Sequence, residues 1–239
     1  MRNVQFEISK RFVAVATGTL VLAGVVAMSL PTAFASGGLL GLGDDQPAST
    51  HCDTTMTGQN NAVINVASGT TCLVNLNQIG AVNVAPGASL MVTGGSIING
   101  AITLVSANAF TMCDSSTKQG AIKASTGPGF ILIGAGGDGG LLGTGLLATP
   151  CGANHIDGAV TLNGNLGGVE VGGNSIVGAL TVSGNIAPNH GTLTEDNATE
   201  VEGNTVTGLT TCATNNPAPV NGDHKNTFTG GANGQCAGL

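Results

Sequence analysis

The octet GAVTLNGN at residues 158–165 returns as GALTVSGN at residues 178–185. Its first glycine is a landmark found at Gly80, Gly100, Gly120, Gly158 and Gly178, with weaker copies at Gly208 and Gly230. The intervals are 20, 20, 38, 20, 30 and 22 residues: a period of twenty with insertions after Gly120 and Gly178. Upstream, INVASGTTCLV at 64–74 matches VNVAPGASLMV at 82–92, so another copy precedes Gly80. A unit this short cannot bury its own apolar face, so the copies must stack on one another.

Columns through the copies define the unit. Two residues after the landmark stand Val82, Ile102, Ile122, Val160, Leu180 and Thr210; four after it stand Val84, Leu104, Ala124, Leu162, Val182 and Cys212. Between these lie alanines at 81, 101, 121, 159 and 179, then Asn83, Thr103, Lys123, Thr161, Thr181 and Thr211. Apolar and polar residues alternating at period two make a strand with one buried face. Before the landmark, at minus two, come Ile98, Ile156, Ile176, Val206 and Phe228; at minus four come Ser96, Ser116, Asn154, Asn174, Asn204 and Asn226. Asparagine and glycine tolerate left-handed backbone, so this second column marks corners. A corner asparagine in each coil can also hydrogen-bond to its copies above and below. The unit has no helical period. The expected fold is all-β: a single-stranded parallel β-helix of about seven coils of ~20 residues, spaced ~4.8 Å apart. A sandwich or an up-and-down barrel would not repeat one residue type at one corner.

Composition agrees. Forty glycines with no Trp and no Tyr exclude a core built on large aromatics, yet 41% of residues are hydrophobic. Short bursts of Val, Ile, Leu and Ala between tight turns can still bury a core if they repeat.

The first 35 residues have targeting character. Arg2, Lys10 and Arg11 precede an apolar run from Phe12 to Leu30, followed by Pro31 and the small-x-small site Ala33-Phe34-Ala35. The expected organisation is a signal peptide over 1–35, a flexible lead over 36–51, and a β-helix over 52–239 with loop insertions near 134–155 and 186–203. Retention of the apolar run as a membrane anchor is the alternative. Removing Arg2, Lys10, Arg11 and Glu7 leaves three lysines against twelve carboxylates, a net charge of −9. Such a chain offers no basic patch to a phosphate backbone, which excludes nucleic acid as a partner class.

All six cysteines lie past residue 35, and an even number in an exported chain implies disulfides. No CxxC pair favours a zinc cluster or a redox motif. Spacing leaves the connectivity open; the expectation is that neighbours pair, as Cys52–Cys72, Cys113–Cys151 and Cys212–Cys236.

Three segments together resemble a known group: VNVAPGASLMVTGGSIINGAITL, then FILIGAGGDGG followed by CGANHIDGAVTLNGNLGGVEVGGNSIVGALTVSGN, then a closing GQC. The pattern resembles exported right-handed parallel β-helix proteins of actinobacteria, over roughly residues 52–236. It is most specific at NGNLGGVEVGGN and at the glycine-rich stretch before Cys151. The resemblance implies a right-handed coil and an export route, and supplies no catalytic residues. The segment 186–203 departs from it.

Chemistry is sparse. Many β-helices cleave polysaccharides, using paired carboxylates or a base beside a carboxylate-held calcium ion. The candidates here are Asp114, Lys123, Asp157 and Glu170. Asp157 and Glu170 share a coil but are expected on different faces, and no column is expected to carry acids on adjacent coils. There is no aromatic platform for a sugar ring. The stretch GAGGDGGLLGTG at 134–145 lacks the Lys-Ser/Thr of a phosphate loop, and its Asp138 stands alone as a calcium ligand. Glu195, Asp196, Glu200 and Glu202 could hold a divalent cation, but read more simply as a solvated loop. His51, His155, His190 and His224 fall in no metal-binding spacing. The outward Ala–x–Thr columns form a flat surface able to dock a partner, self-associate or match an ice lattice, interrupted by Asn83 and Lys123. The expectation is a secreted or cell-surface, non-catalytic structural or binding protein, its partner an envelope or extracellular component, polysaccharide or itself. No catalytic, metal or cofactor residues are assigned. A polysaccharide lyase or hydrolase is the alternative.

Overall fold

The computed structural model describes residues 51–135, 151–187 and 199–239. The targeting run, nearly all of the lead, and most of both insertions lie outside these residues. The described residues contain strands, turns and no helix, and every strand pairing is parallel.

Three faces wind into one solenoid. The first is an eight-stranded sheet of β2 (Ile64–Val66), β4 (Val82–Val84), β7 (Ile102–Val105), β10 (Ile122–Ser125), β13 (Val160–Asn163), β16 (Leu180–Ser183), β19 (Thr210–Ala213) and β21 (Ala232–Gly234). The second stacks the start of β3 (Thr70–Ile79) with β5 (Ser89–Thr93), β8 (Ala109–Met112), β11 (Ile131–Gly134), β14 (Val169–Gly172) and β17 (Glu200–Glu202). The third stacks the end of β3 with β6 (Ile97–Asn99), β9 (Ser116–Lys118), β12 (His155–Ile156), β15 (Ser175–Ile176), β18 (Thr205–Val206) and β20 (Thr227–Phe228). β1 (Thr54–Asn60) lies on β3. Long β3 serves two faces because it turns the corner at Asn75, whose φ is 49°. The eight strands of the first face make eight turns rather than about seven. The first of these, the copy at residues 64–74, carries Ala62 where later turns carry the landmark glycine.

The alternating columns stack as the sequence implies. Val82, Ile102, Ile122, Val160, Leu180 and Thr210 are register partners in turn, and all are fully buried. Neither insertion disturbs the stack. Ile122 pairs with Val160 and Ile131 with Val169 across the first, and Glu170 with Glu200 and Leu180 with Thr210 across the second.

The corner column needs one correction. Ser115, not Ser116, occupies the corner, and Thr117, not Lys118, takes the core position between Ile98 and Ile156. One extra residue precedes Gly120 in that turn, and Gln119 absorbs it with a left-handed φ of 55°.

The buried asparagines form a ladder. The backbone N and Nδ2 of Asn154 both donate to Asn174 Oδ1, at 3.1 and 3.0 Å; Asn174 donates likewise to Asn204, and Asn204 to Asn226. A second ladder, not anticipated above, runs Asn165, Asn185, Asn215 and Gln235 at the opposite end of the first face. Its signal was present in the final asparagine of GAVTLNGN and GALTVSGN. At each rung of this second ladder a left-handed residue precedes the ladder residue, as Gly164, Gly184 and Thr214 do. Left-handed backbone makes the corner, and the next side chain turns inward.

The three disulfides are Cys52–Cys72, Cys113–Cys151 and Cys212–Cys236. Such bonds form and persist in oxidising compartments. No helix among the described residues is long and apolar enough to cross a membrane.

Candidate functional site

The second face differs from the others because its outward side is also covered. Met91, Thr111 and Leu132 follow one another on that side and are each almost fully buried. The next two residues in this column are Glu170 and Glu200, which pair across β14 and β17. Glu202 lies two residues further along β17, hence on the same side. Its register partner is Gly172, which adds no side chain there.

Carboxylate oxygens of Glu170, Glu200 and Glu202 all lie within 4.8 Å of one another. Glu200 is 9% exposed and Glu202 only 2%. His224 joins the edge of the group, its Nδ1 3.6 Å from Glu202 Oε2. Three carboxylates this close and this dry repel one another unless their charge is compensated. An oxygen-only donor set of this kind suits a hard divalent cation.

This arrangement overturns two expectations. Glu200 and Glu202 belong to a buried strand, not to a solvated acidic loop. One column does carry acids on adjacent turns. The insertion before β17 hid this: Glu170 is 12 residues past Gly158, but Glu200 is 22 past Gly178. Counted backward, each glutamate stands eight residues before the next landmark, Gly178 or Gly208.

The other candidates do not converge. Asp114 sits at a corner with φ 49°, its Oδ2 accepting from Gly152 N at 3.2 Å. Lys123 is exposed on the first face. Asp157 is half-buried in the turn between β12 and β13. His51 and His155 are exposed. Asp138, His190, Glu195 and Asp196 lie outside the described residues.

The first face is the other notable surface. Its central outward column reads Asn65, Asn83, Thr103, Lys123, Thr161, Thr181, Thr211 and Asn233, in continuous register. Asn83 Nδ2 donates to Asn65 Oδ1 at 3.0 Å. Lys123 is the one charged residue in this column, and no carboxylate interrupts it.

Searches against protein-family models, curated proteins and solved structures found no match to the chain.

Proposed function

We propose that the chain is a secreted, non-catalytic structural or binding protein of the cell envelope or extracellular space, built on a right-handed β-helix. The observation that carries this reading is the first face, an eight-stranded sheet whose central outward column is Asn and Thr in register, with Lys123 its one charged residue. Surfaces of that kind suit broad contact with a partner, not a reaction, which needs convergent groups in a concave site. The three disulfides support an extracellular location. The partner would be an envelope or extracellular component: a polysaccharide, or another copy of the chain.

The glutamate group favours a second reading, a carbohydrate-active enzyme in which the carboxylates hold a cation beside a sugar acid. Turnover separates the two. Oxidised protein is incubated with a panel of plant, microbial and host polysaccharides, with and without calcium. New reducing ends and unsaturated products are then measured. Silence from folded protein supports the first reading. Calcium-dependent cleavage that disappears in Glu200→Gln overturns it in favour of the second.

A further inference from the structure

Asn-Gly pairs occur four times in the chain: Asn99–Gly100, Asn163–Gly164, Asn221–Gly222 and Asn233–Gly234. This dipeptide is chemically labile. The glycine backbone nitrogen, with no side chain to shield it, attacks the asparagine Cγ. A nitrogen–carbon bond forms, ammonia leaves, and a five-membered succinimide remains. Water then opens the ring at either carbonyl, giving aspartate or isoaspartate. Nothing is oxidised or reduced, and solvent water is the only co-reactant. The peptide must swing until nitrogen meets side-chain carbon, so backbone held in a ladder resists the reaction.

Three of the four pairs are held. Asn99 ends β6 and accepts from Gly80 N at 2.9 Å, and a side chain at Gly100 would strike the Gly80 carbonyl. Asn163 ends β13 between Ser125 and Ser183, and Gly164 N donates to Ser183 O at 2.9 Å. Asn233 pairs with Thr211, and Gly234 packs against the Cys212 backbone.

Asn221–Gly222 lies outside the strands, between β19 and β20. Asn221 is half-buried, and Gly222, Asp223 and His224 are exposed. Gly222 and Asp223 have φ of 49° and 63°, in a tight turn closed by His224 N donating to Asn221 O at 2.7 Å. We propose that Asn221 is a spontaneous modification site that deamidates in the folded protein ahead of the other three. The turn touches the glutamate group: His224 neighbours Glu202, and a side chain at Gly222 would collide with the Glu202 carboxylate. Deamidation therefore adds negative charge close to an acidic cluster. The isoaspartate form also lengthens the turn that carries His224.

The test ages the full oxidised protein at mildly alkaline pH beside a fully denatured sample. Peptide mapping by mass spectrometry then follows the amide-to-acid mass gain and isoaspartate at each site. The denatured chain should convert all four sites at comparable rates. The folded chain should convert Asn221 at least about tenfold faster than the other three, because only that pair is free of the ladders. Asn221→Ser should remove the signal and leave the other three slow. Equal protection of all four sites, or faster conversion at Asn99, Asn163 or Asn233, overturns the proposal.

Discussion

A fully buried amide is tolerable only when its polar atoms are matched. Asn185 shows how the ladder achieves this. Its Oδ1 accepts from the N and Nδ2 of Asn165, and its Nδ2 donates to Leu162 O and to Asn215 Oδ1. Asn185→Ala strands groups on both neighbouring turns and should cost ~3 kcal/mol, read as a lower denaturation midpoint in guanidinium. Thr210 is the opposite case. It stands in the apolar column between Leu180 and Ala232, and its buried Oγ1 has no hydrogen-bond partner. Thr210→Val keeps the shape and removes that atom, so it should raise stability by ~1 kcal/mol in the same measurement. An unchanged or lower midpoint would show that the hydroxyl is satisfied in solution.

At the scale of the turn, the landmark glycines set how closely successive coils approach. A Cβ on Gly178 would stand 2.5 Å from the Gly158 carbonyl oxygen, and one on Gly158 would meet Gly120 in the same way. Gly178→Ala should therefore destabilise by ~2 kcal/mol, detectable as a lower thermal midpoint. This spacing is also why the fold was legible in the sequence. A stacked coil repeats its side-chain demands, so Val82, Ile102 and Ile122 declare one column. What the columns could not convey was slippage. The extra residue absorbed at Gln119 moved the corner from Ser116 to Ser115. The insertion before β17 hid the pairing of Glu170 with Glu200. Both are local changes of chain length that hydrogen bonding between turns corrects, and linear counting does not include that bonding.

Across the whole solenoid the two halves cohere by different means. Among the described residues, eleven Leu, Ile, Met and Phe side chains that are 2% exposed or less precede Ile156, among them Phe110, Leu90 and Met112, and only four stand from there onward: Ile156, Leu162, Ile176 and Leu180. Both runs of asparagine lie from Asn154 onward. The N-terminal half thus depends mainly on apolar burial, and the C-terminal half adds matched amides. Apolar burial weakens on cooling. Native-state hydrogen exchange at two temperatures should show amides of β4, β7 and β10 losing protection on cooling relative to those of β13, β16 and β19. Parallel changes in both halves would mean that the solenoid opens as one unit.

Because Ile102 of one turn lies on Ile122 of the next, and Ile122 on Val160, length in this architecture is counted in turns rather than residues. Asp157 and Val177 both immediately precede a landmark glycine. Excising residues 158–177 from the gene would join two equivalent corners and leave Val160's place to Leu180. A lineage of such chains can then grow or shrink by whole-turn duplication and deletion, each step preserving the reading of the stack, while a loss of half a turn would scramble it.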